Sequence, residues 1–314
     1  PIWLVKFPGT TRNLQGSVPS YTTAPVSEWL GSHVYAALGI PVHETVLGIR
    51  DGRIVCACRD FTFPDSRLVN FHDLKNSLSD DEPGFTEDAS TGSGVVLADV
   101  RSAIHRIPVL RSIDGVSDRF WDMFVVDAFI RNIDRNNTNW GVLRNPRGEF
   151  SLAPVYGNGN SFNNKSTESG IERRLANPDL IRQDALDVRS CYVTDRGKPI
   201  APLKYLASGQ DEECTKALDR FMERYDPRSF HDLLDSIPSM SHGLTVVPDG
   251  FHEYHRRVCD YRYEHAFMEA WRELHPTVGF PSSPEASVPE PLPDPDPSVL
   301  PSSSVPTCFG GPGM

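Results

Sequence analysis

The chain has 314 residues, enough for one large or two smaller domains with a buried core, and a formal net charge of −11. That acidity argues against direct, non-specific nucleic-acid binding, which needs a basic stripe, although a few local cations suffice for a nucleotide. No run approaches the roughly 18–20 apolar residues of a membrane span, no signal-peptide pattern opens the chain, and the six cysteines (56, 58, 191, 214, 259, 308) lack the spacing of a disulfide framework, which suits a reducing, cytoplasmic setting.

The chain starts at Pro1 rather than Met, as expected of a processed product or an excised fragment. IWLVKF (2–7) reads as a short apolar strand carrying a single lysine, Lys6. A helix follows at about 25–38, with Pro25 suited to its first turn and Gly39 to its stop. Val26, Trp29, Leu30, His33, Val34 and Ala37 form its apolar stripe, and Glu28 lies beside that stripe. HETVLGIRDGRIVCACR then gives two β-rich runs around Asp51-Gly52, a dipeptide that tolerates positive φ and favours a tight hairpin. Cys56 and Cys58 alternate on the second run, share a face and read as small apolar fillers.

Residues 61–276 are expected to be mainly helical. The acidic, Gly/Ser-rich stretch 79–94 reads as a mobile loop, its carboxylates more a solvated face than a metal site. SDRFWDMFVVDAFIRNI (117–133) is a strong helix opened by a Ser-Asp cap, with Phe120, Met123, Phe124 and Ile130 toward the core. Further amphipathic helices are predicted near 211–225, 228–236 and 250–274. From 277 to 314 the chain is rich in Pro, Ser and acidic residues, and is expected to be disordered.

The stretch 117–162 is the most informative. After the helix, Asp134-Arg135-Asn136-Asn137-Thr138-Asn139 is too polar to continue it and must be a loop. WGVLR (140–144) and FSLAPVY (150–156) flank the turn Asn145-Pro146-Arg147-Gly148 and form an antiparallel hairpin. A hairpin brings its open ends together, so Asn139 and Gly157 must be neighbours, with Asp134 close by. Phosphoryl transfer uses such a set: a carboxylate to accept a hydroxyl proton, and oxygen ligands for Mg²⁺. The competing reading is that Asp134 and Asn139 only cap a turn. A lone strand lysine, Lys6, near a helix carboxylate, Glu28, favours the kinase pattern, although an edge-strand lysine that blocks aggregation would account for Lys6 alone.

WLVKFP (3–8), SEWLGSHVYAALGIPV (27–42), DMFVVDAFIRNIDRNNTNWG (122–141) and LAPVY (152–156) resemble the HipA-like serine/threonine kinases, in the right order across nearly all of 1–276. The resemblance implies an α+β, two-lobed protein-kinase-like fold. Residues 1–60 would be the remnant of a small β-rich lobe and 61–276 a larger all-helical lobe bearing the catalytic loop. It also implies ATP and Mg²⁺ as cofactors, a protein substrate and an antitoxin-like partner. By the family pattern Lys6 serves the nucleotide phosphates with Glu28 as its helix partner. Asp134 accepts the proton and Asn139 is a metal ligand. The segment around Cys58, Arg59 and Asp60 becomes the hinge over which adenine lies, with Asp60 toward a ribose hydroxyl.

Three positions depart from that pattern. The phosphate-covering Gly-rich loop precedes the lysine strand in the family, and only five residues precede Lys6. Asn136 replaces the histidine of the family's Asp-Arg-His step. Gly157 stands where the family has the aspartate that is the main magnesium ligand. The sequence therefore implies either a kinase impaired at Gly157 or a pseudokinase that senses nucleotide or binds partners; a plain helical binding domain is a third reading. His252, His255 and Cys259 share a helical face, but no fourth zinc ligand follows. Ser161, Ser166, Thr167 and Ser169 fall where kinases hold an activation segment.

Overall fold

The computed structural model describes residues 1–10, 22–79 and 94–276. Near the N-terminus, β1 (Trp3–Lys6), β2 (Thr45–Arg50) and β3 (Arg53–Arg59) make an antiparallel sheet in the order β1-β3-β2, which leaves β1 on an edge. Asp51 and Gly52 take φ of 52° and 66° at the predicted hairpin turn. The register sets Lys6 opposite Cys56 and Leu4 opposite Cys58. Helix α1 (Ala24–Ala37) packs on β2 and β3 with Val26, Leu30 and Val34 buried.

Beyond residue 61 the chain is mainly helical, punctuated by short strands. β4 (Arg67–Asn70), α2 (Phe71–Ser79), β5 (Val95–Val96), α3 (Leu97–Arg106) and α4 (Pro108–Arg111) lead to α5 (Val116–Ile130). Phe120, Trp121, Phe124 and Phe129 of α5 are buried at the centre of the core. This helix differs from expectation at both ends. It opens on Gly115, with φ of 76° and no side-chain cap, because Ser117 instead donates to Glu213 at 2.8 Å. It stops at Ile130, three residues early, because Arg131 turns left-handed with φ of 57°.

β6 (Gly141–Arg144) and β7 (Phe150–Leu152) form the expected hairpin, and β4 joins it as a third strand beside β6. The second run is shorter than predicted: after Leu152 the chain leaves the sheet, and Val155 bridges Val42. α6 (Glu168–Leu175), α7 (Pro178–Leu186), β8 (Tyr192–Val193) and α8 (Pro202–Ser208) follow. The predicted C-terminal helices appear as α9 (Glu212–Arg224) and α10 (Pro227–Asp235). The last pattern is a hairpin of β9 (Met240–Ser241) and β10 (Leu244–Thr245), then α11 (Phe251–Arg262), a π turn at Tyr263–Phe267 and α12 (Met268–Leu274). α9 packs along α5, where Phe129 and Phe221 meet at 5.3 Å. Most of the acidic 79–94 stretch and the 277–314 tail lie outside the described residues. No helix among the described residues is long and apolar enough to cross a membrane.

The loop 157–161 lies against α1. Ser27 donates to the Ser161 carbonyl at 3.0 Å, and buried Asn158 donates to Ser32 at 3.0 Å. Gly31 permits this approach, since a Cβ there would stand 2.8 Å from Asn158 Cβ. Gly31→Ala should therefore destabilise the protein by roughly 1–3 kcal/mol through overpacking, despite alanine's better helix propensity. A thermal melt checks this; an unchanged or higher midpoint would show that the contact relaxes freely.

Candidate active site

Lys6 reaches from the edge strand toward α1, where its ammonium lies 2.8 Å from Glu28 Oε2. Glu28 is buried rather than merely beside the stripe, at 1 % exposure, because its oxygens are engaged on every side. Its Oε1 accepts the Gly157 N–H at 3.1 Å, and His43 Nε2 lies 3.0 Å from the same oxygen. Burial pushes the Glu28 carboxyl upward, but the His43 hydrogen bond and the Lys6 ammonium outweigh it and hold the group at about 2. A depressed carboxyl contributes stability above its unfolded value and loses it as pH falls through the folded one. The stability gap between wild type and Glu28→Gln should therefore be full at neutral pH and close as pH drops from about 4.5 toward about 2. Denaturant melts across that range test it; a gap independent of pH would contradict the pairing.

The loop after α5 is organised by its own amides. Asn132 Oδ1 accepts the Asp134 N–H at 3.1 Å. The Asp134 carboxylate accepts from Asn136 at 2.9 Å and from Asn160 at 2.8 Å. Asn139 turns its amide nitrogen to the Asp134 carbonyl at 2.6 Å, which leaves its Oδ1 facing Gly157. A Cβ at position 157 would sit 3.1 Å from that oxygen. The hairpin thus makes Asn139 and Gly157 neighbours, as its topology requires. A cavity of about 340 Å³ is lined by Lys6, Glu28, Asp134, Asn139, Gly157 and Asn160, among others.

Five of the six sequence candidates meet there. Asp60 does not line the cavity: its Oδ1 accepts from the Thr62 N–H at 2.8 Å and the Thr62 hydroxyl at 2.6 Å, closing the turn after β3. Ser161 is buried and donates to the Asn158 carbonyl at 2.7 Å, and Thr167 caps α6 by accepting from Gly170 at 3.1 Å. His255 is packed against Phe251, ring centres 4.3 Å apart, and burial pushes its imidazole down to about 3. His252 is spent on the Ile237 carbonyl at 2.8 Å.

Sequence reasoning missed His43 and the anchor beneath the loop. Arg135 is buried and ion-paired to buried Asp127, Nε to Oδ2 at 2.7 Å. It also donates to the Asn139 carbonyl at 3.0 Å, to Asn158 Oδ1 at 2.6 Å and to the Tyr156 carbonyl. One guanidinium therefore ties the catalytic-loop candidate to the hairpin exit. The available signal was Asp127, a lone carboxylate among buried apolar residues of α5.

The donor set fits a nucleotide's phosphates better than it fits Mg²⁺. Lys6 is held in place by Glu28 and borders the cavity. For Mg²⁺ the cavity offers Asn139 Oδ1 and the Asp134 carboxylate, with no carboxylate at position 157. That falls short of the hard anionic oxygens the ion prefers.

A strand lysine ion-paired to a helix glutamate, across a cavity from an Asp-x₄-Asn loop on a two-lobed α+β frame, defines the protein-kinase-like class. Over 242 residues the chain is 32 % identical to the serine/threonine-protein kinase CtkA of Helicobacter pylori (strain J99), covering 76 % of this chain and 71 % of that protein. It belongs to the HipA-like serine/threonine kinase family. The crystal structure of a Helicobacter pylori proinflammatory kinase CtkA matches with a TM-score of 0.75 at 28 % identity, covering 86 % of this chain and 87 % of that one. A HipA, HipB and operator DNA complex from Shewanella oneidensis MR-1 matches at a TM-score of 0.47 and 13 % identity, over 85 % of this chain and 59 % of that one. No protein-family model matches the chain.

Proposed function

We propose that the chain is an ATP-dependent protein serine/threonine kinase whose phosphotransfer is weakened by Gly157. The observation that carries this reading is the convergence of Lys6, Glu28, Asp134 and Asn139 on one cavity. Lys6, fixed by Glu28, neutralises nucleotide phosphate oxygens. Leu4 shares the face of Lys6, two residues earlier on the strand, and is 64 % exposed, an apolar surface suited to a base. Asp134 accepts the proton of the protein hydroxyl as its oxygen takes the γ-phosphoryl group. Asn139 Oδ1, which faces Gly157, would be the residue to hold a metal entering with the nucleotide.

A pseudokinase is the second reading. It is favoured by Gly157 itself, whose φ of +78° suits glycine and whose missing side chain leaves Asn139 Oδ1 with no carboxylate beside it. Both readings require nucleotide binding. Calorimetry should show ATP binding to the wild type and at least about a tenfold weaker affinity in Lys6→Ala, the loss of roughly 1.4 kcal/mol of charge-assisted contact. Absence of ATP binding to the wild type, with or without Mg²⁺, would sink both.

A further inference from the structure

Phosphoryl transfer leaves part of the Glu28 cluster without a role. A carboxylate oxygen of Glu28, a ring nitrogen of His43 and the sulfur of Cys58 all lie within 4.8 Å of one another, and all three residues are buried. Among the described residues this is the one group of three or more His, Cys, Asp or Glu side chains arranged so closely. The Cys56 thiol is a neighbour, its sulfur 4.0 Å from that of Cys58, but it stands outside this group.

The sequence reading of these cysteines as apolar fillers is half right. Both are buried, but the face they share is the polar one that carries Lys6 and Glu28. The thiol contact with Cys56, and after it the Lys6 ammonium, draw Cys58 below the ordinary cysteine value against the opposing effect of burial. The cluster borders the 340 Å³ cavity on its Glu28 side, since Lys6 and Glu28 line that cavity.

We propose that Glu28, His43 and Cys58 form a three-residue Zn²⁺ site, its fourth position open to water, that competes with the Lys6–Glu28 ion pair and thereby opposes nucleotide binding. Imidazole, carboxylate and thiolate together are a donor set that zinc accepts. As the ion binds, the Cys58 thiol releases its proton to solvent and its sulfur takes the metal; no electron is transferred. Glu28 turns its charge to the ion, and Lys6 loses the partner that holds it in the cavity. The coupling to nucleotide rests on the proposed kinase reading; the metal site does not.

Cobalt is the direct probe. Purified protein, kept reduced with a phosphine, is titrated with Co²⁺, and ultraviolet and visible spectra are recorded. A single equivalent producing a thiolate-to-cobalt charge-transfer band and the visible bands of a tetrahedral ion is expected, with Zn²⁺ displacing it. Cys58→Ala and His43→Ala should each lose the band or weaken binding at least tenfold, whereas Cys259→Ala should keep it. Nucleotide affinity is measured in parallel by calorimetry. Saturating Zn²⁺ should weaken ATP binding at least tenfold in the wild type and leave Cys58→Ala unaffected, and ATP should weaken Zn²⁺ by the same factor. No thiolate band, or a band that forms with undiminished affinity in Cys58→Ala, overturns the site. A normal band with unaltered ATP affinity overturns the competition. If metal-free protein binds no ATP, the kinase reading fails and the cobalt spectra alone still decide the metal site.

Discussion

Gly157→Asp is expected to raise phosphate transfer from ATP and Mg²⁺ roughly 10²- to 10³-fold. One preorganised electrostatic group supplies about 3–4 kcal/mol of transition-state stabilisation, and each 1.4 kcal/mol or so is a factor of ten. The geometry supports the placement: a Cβ at 157 would stand 3.1 Å from Asn139 Oδ1, so the new carboxylate begins beside the other candidate metal ligand. Two costs oppose the gain. Gly157 has φ of +78°, where a side chain costs about 1–2 kcal/mol, although aspartate is among the residues that best tolerate that region. Asn139 must also shift by a few tenths of an ångström to admit the Cβ. The variant should therefore melt slightly earlier than the wild type while transferring phosphate faster. Radiolabelled phosphate incorporation into the protein itself or a generic protein acceptor measures it, with Gly157→Asp/Asp134→Asn as the inactive control. A Gly157→Asp protein that binds nucleotide yet stays as inert as the wild type would exclude the kinase reading and leave the pseudokinase.

Removing the Arg135 guanidinium should have the largest effect on stability. Arg135→Met strands Asp127, which is buried and otherwise held by Tyr35 at 2.8 Å and Asn132 at 3.1 Å. Breaking a buried pair by deleting one partner costs about 3–5 kcal/mol, which lowers the melting temperature by on the order of 10 °C in a chain of this size. The loop also loses its shared anchor, because Arg135 alone joins the carbonyls of Asn139 and Tyr156 to Asn158. Arg135→Lys should not rescue, since an ammonium cannot span these acceptors with a fixed planar fork. Arg135→Met/Asp127→Asn should recover much of the stability, because the stranded charge is gone. Nucleotide affinity should stay low in the double variant if the anchor positions the site. Equal destabilisation in single and double variants would show that the charge pair is not what holds this region.

The candidate site was legible in the sequence where chain topology alone brings residues together. Asn139 and Gly157 bracket a hairpin, and Asp134 precedes it by five residues, so their adjacency needed no knowledge of the rest of the fold. The alternation of IWLVKF and the helical period after Pro25 likewise placed Lys6 and Glu28 on elements that share a small sheet. Asp60 lies apart from the other candidates because a carboxylate two residues before Thr62 closes a local turn there.

What the sequence by itself determined was the order of lobes, the hairpin, the absence of a carboxylate at position 157 and the identity of the polar groups available. Only the tertiary structure decided which of those groups touch. Periodicity reports the face a residue presents, but a buried charge is stabilised by partners from distant segments. Glu28 could sink into the core only because Lys6, His43 and the Gly157 amide arrive from three other elements. The same convergence sets Cys58 against Glu28 and His43, turning one apparent filler into a candidate metal donor.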